Sequence, residues 1–184
     1  PAVALASDPP DEDVMKRKPR KPGEGILHGM GAFIIASFTL QAVGTLLVFI
    51  MEYYLFPAHP WGWPNMPTPG SPADLARQAT LDEARTTAFV QAAMFELFVV
   101  WNCRSEKRSV WRMGRDAFKN RFFVVAEIVS ISLTLAIPYI PLTQTAFHLV
   151  PLSLVDLAYV VGVSSWGLFV FPEIFMNRKV WRWR

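Results

Sequence analysis

Glu96 stands in the apolar run TTAFVQAAMFELFVVWNC, Thr86 to Cys103, with Ala92, Ala93, Val99 and Val100 as its helical neighbours. An ionisable side chain at the middle of a bilayer costs about 2.5–3.5 kcal/mol on translocon-insertion scales. Such a group is therefore kept neutral, paired, or given an ion. No basic residue lies within an apolar run to pair with Glu96. That leaves two chemistries: a protonated, hydrogen-bonded glutamate that serves helix packing, or a carboxylate that binds a cation. A carboxylate is the hard oxygen ligand that Ca²⁺ and Mg²⁺ prefer, but one carboxylate cannot complete a six- to eight-oxygen site.

Other acids lie in or beside the apolar runs, and each has a plainer expectation. Glu52 and Asp156 fall at outer ends, where solvated helix termini are expected. Glu173 shares a helical face with Asn177, with Arg178 and Lys179 nearby, which predicts a structural ion pair. Glu127 lies about a turn and a half beyond Lys119 and Arg121, so pairing or snorkelling is expected. His28 lies at the cytoplasmic edge and His148 in an outer loop, without a second cluster of metal ligands, which argues against an intramembrane enzyme built on them. The single cysteine, Cys103, excludes an internal disulfide and a cysteine-based metal cluster. A reduced thiol is expected at that inner end of its span, with reversible palmitoylation as one further use.

Four helices must position these groups. The chain has 184 residues, 52% of them hydrophobic and 18% charged, and the apolar residues are bunched. Spans are predicted at about 26–56, 86–103, 122–140 and 155–175; the last three are near the roughly 20 residues that a 30 Å hydrocarbon core requires, and the first is longer. The class is all-α membrane protein, since no run alternates apolar and polar residues as a barrel strand would. Within the outer loop, Pro72 to Ala84 is expected to form a short surface helix. Trp61 and Trp63, with Tyr53 and Tyr54, suit the membrane–water interface. Small residues at four-residue spacing offer close-approach faces: Ala32 and Ala36, Ala88 and Ala92, Ala158 and Gly162, with Ser164, Ser165 and Gly167 extending the last. Pro172 should kink the fourth span.

Charge placement sets the expected orientation. Of 18 Lys and Arg residues, five lie at Lys16 to Lys21, seven from Arg104 to Arg121 and four after the fourth span. Arg77 and Arg85 fall between the first and second spans, and none between the third and fourth. The positive-inside rule then puts both ends and the middle loop in the cytoplasm. These membrane-flanking segments account for the net charge of +3 without a nucleic-acid partner. The middle loop, RSEKRSVWRMGRDAFKNR, is a candidate amphipathic segment with Trp111 and Phe118 toward anionic lipid. The first 25 residues, with five prolines, form an arm not expected to have a core of its own, and they lack the apolar stretch of a signal peptide. The opening, without Met, reads as cut from something longer.

The segment SDPPDEDVMKRKPRKPGEGIL resembles the link between the sixth and seventh membrane helices of P-type cation ATPases of the calcium-pump and sodium-pump class. Pro9, Pro10, Asp11, Asp13, Met15, Lys16, Arg17, Pro19 and Arg20 fit that pattern in order. FELFVVWNCRSEKRSVWRMG is similar to the eighth helix and following loop, and PLSLVDLAYVV and PEIFMNRKV to the last helix and its inner end.

The resemblance implies that the four spans are helices seven to ten of a ten-helix pump in the cell membrane of a bacterium or archaeon. Residues 1–25 would be the cytoplasmic arm and 26–184 the membrane domain. It also implies that Glu96 matches a helix-eight glutamate of calcium pumps that contributes to a transmembrane cation site. Val99 departs from the Asn of many relatives, which leaves open fewer ions, another ion or a proton-countertransport carboxylate. The family's phosphorylation motif, Asp followed by Lys-Thr-Gly-Thr, is absent from these 184 residues. ATP, Mg²⁺ and the transported Ca²⁺ or other cation would belong to the parent pump, whose remaining helices and cytoplasmic domains are the expected partners alongside membrane lipid. A free-standing four-helix adaptor acting through its basic loop is the alternative.

Overall fold

The computed structural model describes residues 1–10, 15, 29–55, 69–105 and 108–175. These residues are helical throughout, without a strand. Helix α1, Gly31–Ile50, runs into a π-helical turn at Met51–Leu55. Helix α2, Pro72–Val100, continues through a short 3₁₀ turn, Asn102–Arg104. A short α3, Val110–Met113, lies in the loop before α4, Arg121–Ala136. Then come α5, Pro141–Phe147, α6, Leu154–Ser164, which tightens to 3₁₀ over Ser165–Phe169, and α7, Pro172–Phe175.

Among the described residues, three stretches are long and apolar enough to cross a membrane: Gly31–Tyr54, Pro72–Arg104 and Arg121–Tyr139. The fourth, Leu154–Phe169, is shorter. The predicted bounds thus shift in two places. The expected separate surface helix is the first part of α2. Ser71 caps it by accepting from the Asp74 N–H at 3.1 Å, and Pro72 sits at the start, where its missing N–H costs nothing. With 29 residues, α2 is about 43 Å long at 1.5 Å per residue, so it extends beyond a 30 Å hydrocarbon core. At the other end, the fourth span does not continue helically to 175. The chain leaves the helical region at Val170 and restarts at Pro172, because a proline has no N–H to donate and displaces the preceding residue from helical geometry.

Helix α2 is the hub, packing against α1, α4, α6 and the 3₁₀ turn that follows α6. One core cluster gathers Val48, Val90, Met94, Leu152 and Val160, and a second gathers Phe33, Phe95 and Val170. In lipid the drive for such packing is close contact and internal hydrogen bonding rather than water exclusion. Gly167 illustrates the first: a Cβ there would lie 2.9 Å from Val99 Cγ2 and 3.0 Å from both Phe95 O and Val99 N. The Ala158 and Gly162 pair behaves differently from expectation. Both are exposed, and nothing lies within 4 Å of a Cβ on Gly162. The face that α6 turns to α2 is offset from theirs and carries Val160 together with Ser164 and Gly167, the small residues expected to extend the pair.

The arm is also more ordered than its composition predicts. Ala2–Ser7 forms a 3₁₀ turn that packs on α4 and buries Ala4. His28, Trp61, Trp63, Lys16 to Lys21, and the Arg and Lys residues from 178 onward lie outside the described residues, as does the side chain of Glu173.

Candidate cation site

Glu96 lies in the C-terminal third of α2, on the flank that faces α1. Its residue neighbours Met94 and Phe95 are buried, whereas Glu96 itself is exposed on the surface of this domain. The Gln41 side-chain amide of α1 donates to Glu96 Oε1 at 3.2 Å. Ser37, one turn before Gln41, has a buried hydroxyl oxygen with no hydrogen-bond partner. Ser37, Gln41 and Glu96 line one end of an inter-helix groove of about 200 Å³, floored by Phe95, Val99, Val100 and Cys103. Through Gln41 this groove adjoins a second cavity of about 470 Å³ that reaches Thr45, Phe49 and Ala88.

The donor set fits a hard cation in kind: a carboxylate, a side-chain amide and a hydroxyl. It falls short in number, since Ca²⁺ takes six to eight oxygens. Further along the same seam, Gln91 is fully buried. Its Oε1 accepts from Thr45 Oγ1 at 2.6 Å, and its backbone carbonyl accepts from Ser164 Oγ at 3.1 Å. The Gln91 Nε2 has no partner. A polar seam of Ser37, Gln41, Thr45, Gln91, Glu96 and Ser164 therefore runs between α1, α2 and α6. Gln91 was visible in the sequence as a polar residue within an apolar run. Ser37, Gln41 and Thr45 recur every four residues on α1 and so share one face.

The other acids correct the expectations made for them. Glu52 and Asp156 are not solvated ends: they are 3% and 8% exposed. Carboxylate oxygens of Glu52, Glu83 and Asp156 lie within 4.8 Å of one another. The reason is the N-terminal extension of α2, whose first turns cover the π turn of α1 and the start of α6. Tyr159 donates its hydroxyl to Glu52 Oε2. Asp156 is held by a capping box, accepting from the Ser153 N–H at 2.7 Å while its own N–H donates to Ser153 Oγ. Glu127 does not pair with Arg121 or Lys119 and does not snorkel. It is 1% exposed, and neither carboxylate oxygen has a hydrogen-bond partner of acceptable geometry. Six residues from Arg121, it lies on another face of α4, one turn below the buried Phe123. Lys119 instead pairs with Asp116 at 2.8 Å. That ion pair outside the spans holds the Asp116 carboxyl below its usual range.

His148 caps α5 in the left-handed conformation, φ 52°, and is exposed. Cys103 is a free thiol, exposed in the groove that holds Glu96. Trp111 and Phe118 are both partly exposed, Phe118 packing on Trp101 and Trp111 on Phe169, and Trp111 donates its indole N–H to Leu168 O at 3.0 Å.

A helical membrane domain with a carboxylate at the edge of an inter-helix groove is the class that the fold and site define. The family model for the C-terminus of cation-transporting ATPases matches residues 1–175. A calcium-transporting ATPase of Bacillus subtilis (strain 168) is 33% identical over 180 residues, covering 97% of this chain and 18% of the relative. The calcium-transporting ATPase type 2C member 2 of Mus musculus is 29% identical over 184 residues, 98% of this chain and 16% of the relative. A probable cation-transporting ATPase F of Mycobacterium bovis is 31% identical over 152 residues, 83% of this chain and 14% of the relative. The chain belongs to this family: it is the C-terminal domain of a P-type cation ATPase and an integral, multi-pass membrane protein. It spans less than a fifth of the length of these relatives.

Proposed function

We propose that this domain is the C-terminal membrane module of an ATP-driven cation pump that exports Ca²⁺, with Glu96 as one ligand of a transmembrane cation site. The observation that carries the reading is the placement of Glu96. Its carboxylate is open to a groove between α1 and α2, tethered by Gln41 and beside the unpartnered Ser37 hydroxyl. Lipid is a poor neighbour for a carboxylate, so this groove is where oxygens from other helices of the pump would join Glu96 around the ion. Gln41 orients the carboxylate and fixes which oxygen remains for the cation. Helices α1, α2, α4 and α6 are helices seven to ten in this reading, with both ends in the cytoplasm. Residues 1–25 form the arm and 26–184 the membrane domain, in the cell membrane of a bacterium or archaeon. ATP and Mg²⁺ act in the parent's cytoplasmic part, and lipid surrounds the exposed faces of α4 and α6.

The names of the relatives support Ca²⁺ as the ion, and the extent of the family match supports a pump domain over a free-standing adaptor. The test is Glu96→Gln in the complete pump, read as the Ca²⁺ concentration that half-saturates phosphorylation by ATP. Loss of a charged ligand should raise it at least tenfold, or ~1.4 kcal/mol. Gln41→Leu, which removes only the orienting donor, should raise it less. An unchanged Ca²⁺ response in Glu96→Gln would remove the ligand assignment.

A further inference from the structure

The guanidinium of Arg104 is 1% exposed on its side chain, yet it is bound on every edge. Its Nε donates to Asp8 Oδ2 at 2.8 Å and its Nη2 to Asp8 Oδ1 at 2.9 Å, a two-pronged pair. Its Nη1 donates to the Ala117 carbonyl. Its plane lies over Phe123, 4.8 Å from the ring centre, with Trp101 at 5.9 Å. Asp8 takes a third donor, Asn120 Nδ2, at 2.7 Å. Asn120 Nδ2 also donates to the Ala4 carbonyl at 3.0 Å, while Asn120 Oδ1 caps α4 through the Phe123 N–H at 2.9 Å. The arm is therefore tied at two points, Ala4 and Asp8, to the inner ends of α2 and α4 and to the loop between them.

Buried ion pairs are poor sources of net stability, because an apolar pair of similar volume does as well or better. What a two-pronged Arg–carboxylate pair supplies is geometric definition. Arg104 lies in the 3₁₀ turn that follows α2, eight residues beyond Glu96, or about 12 Å along the helix. Any displacement of the arm is thus delivered to the helix that carries Glu96.

We infer that Asp8, Arg104 and Asn120 form a latch that sets the position of Glu96 relative to the arm, with Arg104 as a positioning residue for the cation site. The inference rests on Glu96 being a ligand, and it concerns a contact to which the ligand reading itself assigns nothing.

The test uses the complete pump with Asp8→Asn, Arg104→Gln, Arg104→Lys and the Asp8→Asn/Arg104→Gln double variant. Two measurements are made: the rate of trypsin cleavage within the arm's Lys16–Lys21 run, and the half-saturating Ca²⁺ for phosphorylation. The latch predicts faster arm cleavage in every variant, without any ion present. It predicts a roughly tenfold rise in half-saturating Ca²⁺ for Asp8→Asn and Arg104→Gln, with the double variant no worse than either. Arg104→Lys, which keeps the charge but loses the fork, should rise about threefold. Phosphorylation at saturating Ca²⁺ and its ATP dependence should stay at the wild-type value, a separation that general loss of structure would not give. If Arg104→Gln does not accumulate, Asp8→Asn and Arg104→Lys decide. Unchanged arm cleavage overturns the latch. Faster cleavage with unchanged Ca²⁺ half-saturation overturns its positioning role. A wild-type pump with no Ca²⁺ response refutes the Ca²⁺ reading instead, and cleavage alone then decides whether the latch exists.

Discussion

Gly167→Ala gives the sharpest test of how the membrane domain is packed. The added Cβ would sit 2.9 Å from Val99 Cγ2, 3.0 Å from Phe95 O and 3.0 Å from Val99 N, where ordinary contact begins at 3.4 Å. Side-chain adjustment can relieve only the first of these. The other two are backbone atoms of α2, so the helices must separate by about 0.4–0.5 Å, and overpacking of this kind costs ~1–3 kcal/mol. The companion variant, Gly162→Ala, meets nothing within 4 Å. It should be neutral, or gain up to ~1 kcal/mol from better helix propensity. Thermal unfolding of the complete protein in detergent, compared with the wild type, reads both. Because Phe95 and Val99 flank Glu96, Gly167→Ala should also weaken the half-saturating Ca²⁺ response. Equal midpoints for the two variants would refute the claim that α6 and α2 touch through Gly167.

Two further predictions follow from the buried polar groups. Asn102 donates to Gly167 O at 3.2 Å and Leu168 O at 3.0 Å and accepts from the Val110 N–H at 3.0 Å. Asn102→Ala should therefore lose ~2–4 kcal/mol in the same unfolding assay, since buried backbone groups are left unpaired. Glu127→Leu should leave stability unchanged or raise it by ~1–3 kcal/mol, because a buried acid without a hydrogen bond is replaced by an apolar group of similar size. A clear loss in that variant would mean that Glu127 has a partner.

The helices were legible in the sequence because bilayer thickness fixes their length and apolar composition marks them directly. Glu96 was legible for the same reason: one acid in an apolar run is conspicuous whatever it touches. What could not be read was which polar groups meet. Glu52, Glu83 and Asp156 come from three different helices, and Glu52 and Asp156 look like solvated termini until the N-terminal extension of α2, which carries Glu83, covers them. Asp8 and Arg104 are 96 residues apart, in an arm and a loop whose charges resemble orientation signals. Glu127 and Arg121 are close in sequence but on different faces of α4, so proximity along the chain gave the wrong pairing. The small-residue face of α6 was legible in part: Ser164 and Gly167 do meet α2, whereas Ala158 and Gly162 are exposed, because spacing marks a possible contact face and only the angle at which α6 meets α2 selects its members.

The exposure of Glu96 is itself an argument about the rest of the molecule. Exposed apolar residues on α4, such as Phe122, Val125 and Leu133, suit lipid without further help. A carboxylate does not. Glu96 shares its groove with a hydroxyl that lacks a partner and with an amide already committed to it. A surface that combines unpaired oxygen donors with an adjoining cavity along α1 is unfavourable against hydrocarbon and favourable against a helix bearing polar groups. The same reasoning ranks the faces of the domain. On the proposed reading, the α1–α2 groove is the side offered to the other helices of the pump, and the exposed face of α4 is the side offered to lipid. Leucines placed on each side test this ranking. Ser37→Leu with Gln41→Leu should impair assembly of the pump, whereas leucines substituted at Val125 and Val129 should be silent in the yield of folded, membrane-inserted protein.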